Sequence, residues 1–125
     1  MNKARILFAA LVFITIGCHS PQEAPSPSAV AEGDAERGKL LVQKFGCGTC
    51  HLVPGVQGAV GTMGPPLAGI GDRPILMGGL PNEPANMVKW IRDPKEVNPR
   101  TFMPDLNIGA QEGSDIAAYL YTLKE

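Results

Sequence analysis

The chain has 125 residues, of which 44% are hydrophobic and 18% charged, and its formal net charge is −1. It therefore lacks the excess of Lys and Arg that nucleic-acid binding requires, and we predict no nucleic-acid partner. Glycine (15 residues) and proline (12 residues) are abundant, and true strand patterns are absent, which favours a small all-α domain with long loops.

The first 17 residues have the pattern of a signal peptide. Lys3 and Arg5 precede an apolar run of 12 residues, Ile6–Gly17, that contains no charge. Such a run suits the core of a secretory signal, whereas a spanning helix needs about 20 residues. We therefore predict a signal peptide over 1–17 and export of the rest of the chain.

The run ends in Thr15-Ile16-Gly17-Cys18, which resembles the lipobox of bacterial lipoproteins. The resemblance implies cleavage after Gly17 and a lipid on the Cys18 thiol, with Thr15 standing where Leu is usual. Two alternatives stay open, an uncleaved anchor and an ordinary signal cut further on. All three predict a domain at the cell membrane that faces the periplasm or the outer surface of a bacterium.

Residues 18–33 are predicted to be the lipidated Cys18 and a tether. Their composition shifts to Pro, Ser, Ala and Glu, which cannot bury enough apolar surface to fold. The folded domain is therefore predicted to span 34–125. Cleavage would remove Lys3 and Arg5 and leave nine basic against twelve acidic residues, a formal charge of −3.

The domain is predicted to begin with a helix from Ala35 to Phe45, with Asp34 as its N-cap. One face of this helix collects residues at spacings of three, four and seven: Gly38, Leu41, Val42 and Phe45.

The pentapeptide Cys47-Gly48-Thr49-Cys50-His51 directly follows this helix. Two thiols three positions apart lie on one side of a helical turn, where each can add to a vinyl group of a haem. The imidazole that follows is then held under the iron as its proximal axial ligand. We interpret the motif as the attachment site of one haem c, with thioethers from Cys47 and Cys50 and an iron ligand from His51.

Other interpretations of the motif explain less. A structural zinc site needs four ligands, and the only other Cys and His residues, Cys18 and His19, lie in the predicted anchor and tether. A thioredoxin-like pair needs a preceding strand in a βαβ unit, whereas the flanking pattern here is helix before and loop after. A disulfide between Cys47 and Cys50 would leave His51 without a role.

Two further helices are predicted. One spans Glu83–Arg92, with Asn82 as its cap and Asp93-Pro94 as its stop, and the other spans Ser114–Lys124. The last helix has an apolar stripe, and Tyr121 falls on the opposite side, where we expect it at the surface. The stripe consists of Ile116, Tyr119, Leu120 and Leu123.

The stripes of the first and last helices look complementary. Gly38 removes a side chain where another helix could cross closely, and Tyr119 offers a ring to fill that hollow. We predict that the two helices cross there and bury Val42 against Ile116 and Tyr119.

Together these features resemble a mono-haem class I cytochrome c, and the resemblance covers nearly everything from Asp34 to Glu125. In that family the terminal helices cross near a glycine and an aromatic residue, positions that Gly38 and Tyr119 match. The resemblance implies an all-α fold whose helices and loops wrap around one covalent haem. A buried macrocycle would also strengthen an otherwise thin apolar core.

The segment Gly64-Pro65-Pro66-Leu67-Ala68-Gly69 resembles the loop that follows the haem motif in this family. The resemblance implies that the carbonyl of Pro65 accepts the hydrogen bond of the proximal histidine and that Leu67 lies at the haem. Arg73 matches a side chain that approaches a haem propionate. Trp90 is predicted to pack over the haem edge or to donate its indole N–H to a propionate.

Four methionines are candidates for the second axial ligand. Met103 falls where the family's axial methionine falls, in a loop braced by Pro104. Met77 is the main alternative. Met87 is expected to pack in the core, and Met63 directly precedes the proline loop on the proximal side, where it is badly placed to reach the other face of the haem. A His/Met pair closes both axial sites and raises the reduction potential, so we predict an electron carrier and not an enzyme.

The stretch from Trp90 to Pro104 is similar to cytochrome domains that are fused to, or work beside, terminal oxidases. The resemblance implies redox protein partners, a terminal oxidase among them, and we predict a monomer. The alternatives are a haem subunit of a fixed redox complex and an open-site haem enzyme or gas sensor. Lys89, Lys95 and Arg100 are interpreted as a solvated face, with a docking rim as the alternative.

Overall fold

The computed structural model describes residues 32–125. The predicted signal peptide, the lipid on Cys18 and most of the tether lie outside the described residues. Within 32–125 the chain is helical and contains no strand, which confirms the all-α prediction. None of the helices within residues 32–125 has both the length and the apolar character that a bilayer crossing requires. The α-helices are α1 (Ala35–Lys44), α2 (Pro84–Arg92), α3 (Pro94–Val97) and α4 (Ala110–Leu120).

Helix α1 begins where predicted and ends one residue earlier. The side chain of Asp34 accepts a hydrogen bond from the N–H of Arg37 at 2.9 Å, which caps the helix. Phe45 is the C-cap, and Gly46 follows with φ of 70°. Glycine adopts this left-handed conformation without a steric penalty, so the chain can turn directly into the 3₁₀ turn that begins at Cys47.

Helix α2 ends at Arg92 as predicted, with Asp93 as its C-cap, but Glu83, not Asn82, is its N-cap. The amide of Asn82 donates instead to the carbonyls of Ile70 at 2.8 Å and Arg73 at 2.7 Å. The cap prediction was wrong because the Asn82 side chain donates to these two loop carbonyls. No local sequence pattern indicates that they lie beside Asn82.

The C-terminal half departs more from the prediction. Helix α3 was not predicted, since its four residues (Pro94–Val97) are too few to show a periodicity. Helix α4 begins and ends four residues before the predicted 114–124. Its polar first turn looked like loop in sequence, yet Glu112 fixes it by accepting the N–H of Gly109 at 3.1 Å.

Helices α1 and α4 cross at Gly38, as predicted. A Cβ added to Gly38 would lie 1.9 Å from the carbonyl oxygen of Asp115 and 2.9 Å from Cβ of Tyr119. The backbone of α4 therefore occupies the space beside Gly38. The ring of Tyr119 was expected to fill it, but it extends further and its hydroxyl donates to the carbonyl of Pro54 at 2.7 Å.

The core that forms around this crossing contains the expected residues. Val42 is 1% exposed, Ile116 is 2% exposed and Tyr119 is 7% exposed, and all three belong to one hydrophobic cluster. Tyr121, expected at the surface, is half-buried because its hydroxyl donates to Oδ1 of Asn82 at 2.8 Å. That surface prediction was wrong.

A buried carboxylate, which the sequence did not reveal, joins α4 to the start of α1. Asp115 is 3% exposed and accepts the N–H of Asp34 at 2.8 Å, two guanidinium N–H groups of Arg37 at 2.9 Å and the amide of Gln111 at 3.0 Å. Burial alone pushes the pKa of Asp115 upward, but these hydrogen bonds outweigh it and hold that pKa below its usual value.

Gly33, which we assigned to the tether, also packs against α4. A Cβ there would lie 2.3 Å from the carbonyl oxygen of Ser114. The carbonyl of Glu32 accepts a hydrogen bond from Gln111 at 3.4 Å. The packed region thus includes residues that precede the predicted boundary at 34.

Candidate haem-binding site

An open cavity of about 400 Å³ lies between α1, α2 and α4. Its wall is mostly apolar, and its size is that of typical cofactor and ligand sites. Every residue that the sequence analysis assigned to the site lines this cavity: Cys47, Cys50, His51, Pro65, Leu67, Arg73, Trp90 and Met103.

The two cysteines lie on one turn at the wall of the cavity. The carbonyl of Cys47 accepts the N–H of Cys50 at 3.2 Å and that of His51 at 2.9 Å, which closes the turn. The thiols are not joined in a disulfide. Burial raises the pKa of the Cys47 thiol, with a smaller contribution from Cys50.

The imidazole of His51 is held in one orientation. Its Nδ1 lies 2.7 Å from the carbonyl oxygen of Pro65. A carbonyl oxygen can only accept, so Nδ1 carries the proton and Nε2 keeps its lone pair for a metal ion. The hydrogen bond that the family resemblance implied is therefore present.

Gly64 leaves room for this imidazole. A Cβ at Gly64 would lie 2.4 Å from Cε1 and 2.6 Å from Nδ1 of His51. The N–H of Gly64 also donates to the carbonyl of Cys50 at 2.8 Å, which ties the proline loop to the cysteine turn. No role was assigned to Gly64 from the sequence, although its position directly before Pro65 was an available signal.

Three of the remaining site residues contribute to the wall in different ways. Leu67 donates its N–H to the carbonyl of Leu52 at 2.9 Å, which fixes the proline loop. Nη2 of Arg73 donates to the carbonyls of Pro66 at 2.7 Å and Ala68 at 2.9 Å. The ring of Trp90 packs near Gly78 at the cavity. The contact of Leu67 with haem, the approach of Arg73 to a propionate and the role of Trp90 at the haem edge or a propionate stay predictions.

All four methionines line the cavity, and their exposure distinguishes them. Met87 is 1% exposed and lies in the core, as expected, whereas Met63 is 82% and Met77 59% exposed. Met103 is half-buried, and its N–H donates to the hydroxyl of Thr101 at 3.2 Å. Met103 thus combines access to the cavity with a fixed backbone, and its role as axial ligand stays a prediction.

The chemistry of this wall fits a covalent haem. A thiol pair, an oriented imidazole and a thioether surround one apolar cavity, and these groups are the ligands that c-type haem uses. Among residues 32–125, no three His, Cys, Asp or Glu side chains form a cluster that could hold a different metal ion.

The family model of cytochrome c matches residues 35–124. The chain belongs to the cytochrome c family. It therefore carries covalent haem c, attached at the Cys47/Cys50 motif, and its cytochrome c domain functions in electron transfer.

Two relatives of this cytochrome c are described as cytochrome c oxidase subunit 2. The protein from Alkalihalophilus pseudofirmus is 32% identical over 91 residues, which cover 72% of this chain and 26% of that protein. The one from a Bacillus species is 31% identical over 107 residues, which cover 82% of this chain and 30% of that protein. The chain thus spans less than a third of the length of either relative.

Solved structures share the fold. SoxXA from P. pantotrophus superposes with a TM-score of 0.59 at 24% identity, over 74% of this cytochrome c and 83% of that chain. Cytochrome c2 from Rhodobacter sphaeroides superposes with a TM-score of 0.55 at 22% identity, over 74% and 97% of the two chains. At these identities the likeness concerns the fold alone.

Proposed function

We propose that this cytochrome c is a non-enzymatic, single-electron carrier with His51 and Met103 as its axial pair. The observation that carries the proposal is that both side chains line one cavity together with the two attachment thiols. When bound, haem c supplies one-electron redox chemistry. With both axial positions filled from the chain, substrate would have no open site at the iron.

The residues of the chain have distinct parts in this proposal. Pro65 keeps the proton of His51 on Nδ1 and so presents Nε2 to the cavity. The apolar wall excludes water, which favours the less charged state of a bound haem and so a higher reduction potential. Arg73 is held by two backbone carbonyls on the polar part of the wall, where it is proposed to approach a propionate.

We further propose that the carrier is anchored to a bacterial membrane by a lipid on Cys18 and delivers electrons to a terminal oxidase. The motif ending at Cys18 supports the anchor. The relatives described as cytochrome c oxidase subunit 2 support the partner class. Because Glu32 and Gly33 pack against α4, the proposed tether is residues 19–31, and about 13 residues at roughly 3 Å each would allow a reach of about 40 Å from the bilayer.

The axial pair is tested by Met103→Ala with Met77→Ala as its matched control. We expect Met103→Ala to lose the near-infrared sulfur-to-iron absorption band, to lower the reduction potential and to let the ferrous protein bind carbon monoxide. Met77→Ala should behave as the wild type, because Met77 is 59% exposed. If Met103→Ala kept the sulfur-to-iron band and Met77→Ala lost it, the axial ligand would be Met77. If the wild-type ferrous protein bound carbon monoxide readily, an open-site haem enzyme would be favoured.

A second candidate is a haem subunit of a fixed redox complex. The names of the two relatives favour it, since both are subunits of an oxidase. Measurement of the size of the native protein after detergent extraction distinguishes a mobile carrier from a subunit of a fixed complex. We expect a monomer for a mobile carrier, and a stable large assembly that contains this chain would support the subunit instead.

A further inference from the structure

Arg92, the last residue of α2, is 7% exposed. Within residues 32–125, no carboxylate oxygen lies within 4.0 Å of the Arg92 guanidinium nitrogens, which is the distance limit of an ion pair. A buried charge without an ion pair is unfavourable unless hydrogen bonds hold it. The hydrogen bond and the packing of the Arg92 side chain therefore indicate its structural role.

Arg92 joins α2, α4 and the irregular segment between α3 and α4. Its Nε donates to the carbonyl of Ile108 at 3.1 Å. Its aliphatic part packs on α4, where a Cβ added to Gly113 would lie 2.9 Å from Cδ of Arg92. Ile108 is itself 5% exposed. Arg92 thus fixes the chain five residues after Met103.

Lys95 makes a corresponding contact before Met103. Its Nζ donates to the carbonyl of Thr101, and the hydroxyl of Thr101 accepts the N–H of Met103 at 3.2 Å. The ammonium group on α3 is therefore connected to the backbone of Met103 through one residue.

The stretch 102–107 between these two contacts has only local hydrogen bonds. Besides the bond from Met103 to Thr101, the N–H of Asn107 donates to the side chain of Asp105 at 2.8 Å. Within residues 32–125 no hydrogen bond joins this stretch to a helix. Its position thus depends on the contacts at its two ends and on packing.

We propose that Lys95 and Arg92 form a two-point clamp that positions Met103 as axial ligand. The inference rests on the proposed His51/Met103 pair. A thioether is a weak ligand, so a competing ligand enters in proportion to the fraction of molecules in which Met103 has moved away. Lys95 and Arg92 are positioning residues that keep this fraction small.

The test is a titration of the haem-loaded ferric protein with imidazole, which competes with Met103. We use Arg92→Met and Lys95→Met, which keep the aliphatic volume and remove the donor. The matched control is Lys89→Met, since Lys89 pairs with Glu96 at 2.8 Å and makes no hydrogen bond to the 98–109 segment. Hydrogen exchange of 102–107 provides a readout that does not involve the iron.

We expect Arg92→Met to bind imidazole about tenfold more tightly, because a buried hydrogen bond from a charged group is lost. Lys95→Met should bind it about threefold more tightly, since its bond is exposed to water. Both should exchange faster at 102–107, and Lys95→Arg should restore wild-type behaviour. Lys89→Met should match the wild type in both measurements.

The outcomes separate the clamp from the axial assignment. Wild-type imidazole affinity in both clamp variants, with the sulfur-to-iron band present, would overturn the clamp. A wild type without that band, or a Met103→Ala variant with unchanged imidazole affinity, would overturn the axial pair instead. If Arg92→Met fails to fold, the comparison of Lys95→Met with Lys95→Arg and Lys89→Met decides.

Discussion

Gly38 at the crossing of α1 and α4 and Gly58 in the long loop over 52–82 serve opposite purposes. At the crossing, Gly38 supplies space, because the backbone of α4 lies where a Cβ would be. In the loop, Gly58 has φ of 77° and nothing within 4 Å of an added Cβ, so it supplies a backbone conformation and not space. The same residue type therefore supplies space at Gly38, as it does at Gly64 beside His51, and chain direction at Gly58.

The helix crossing and the loop also contribute differently to the protein. The helix crossing holds fully buried side chains, among them Val42 and Ile116, and the buried polar cluster at Asp115. The loop has several exposed apolar side chains, such as Val60 at 73%, but it carries the carbonyl of Pro65 that orients His51. Buried loop residues such as Val53 and Ile70 also belong to the core, so the loop contributes both to stability and to the chemistry at the haem.

The largest expected effect is that of Gly38→Ala. We expect it to lower the free energy of unfolding by about 3 kcal/mol, since the helices must separate to admit the methyl group. Gly58→Ala should cost only about 1 kcal/mol, because it strains φ without a collision. Urea unfolding of the haem-loaded variants measures both, and equal losses would remove the distinction between the two kinds of glycine.

A matched pair of valines compares burial directly. Val42→Ala should lower the free energy of unfolding by about 2 kcal/mol, because it removes methyl groups from a close-packed core. Val60→Ala, the same change in the loop, should stay within about 0.5 kcal/mol of the wild type. Val42 is 1% and Val60 73% exposed. A large loss from Val60→Ala would show that the exposure of the side chain does not set this cost.

Asp115→Asn tests the polar cluster that joins α4 to α1. We expect a loss of about 1.5 kcal/mol at pH 7, since Arg37 is partly exposed and solvent weakens its bonds to the carboxylate. The lowered pKa of Asp115 means that its contribution is present above about pH 3.9, the ordinary value for Asp, and is lost as the pH falls through the lower folded pKa.

Unfolding at pH 7 and at pH 2 checks this dependence. The difference between wild type and Asp115→Asn should shrink at the lower pH. Asp105→Asn is the control, because Asp105 is exposed and an Asn side chain can still accept the N–H of Asn107. A difference that does not change with pH would show that ionisation of Asp115 is not what stabilises the crossing.

The sequence predicted much of the fold because its main signals are local. Asp34 before an amphipathic run gave the start of α1 correctly, and the Asp93-Pro94 pair gave the end of α2. The start of α4 was missed because its first turn is polar, and apolar periodicity begins only at Ile116. The role of Asn82 was missed because its partners, the carbonyls of Ile70 and Arg73, are brought to it by the loop.

The residues of the site likewise fall into those that the sequence revealed and those that it did not. The thiols and the imidazole were evident, since haem attachment needs them at adjacent positions along the chain. Gly64, Asp115 and Arg92 were not assigned roles, because each acts through a backbone group that is distant in sequence or hidden by the fold. A glycine, an aspartate and an arginine are common surface residues, so their identity alone carries no signal.

The sequence by itself determined that this protein holds a covalent haem, because the reacting groups Cys47, Cys50 and His51 are neighbours along the chain and their chemistry depends on that spacing alone. Only the tertiary structure decided which polar groups from distant parts of the chain meet. Asp115 lies 78 residues from Arg37, and Asn82 lies 12 residues from Ile70. Such contacts depend on how the helices and loops pack, which no local pattern encodes.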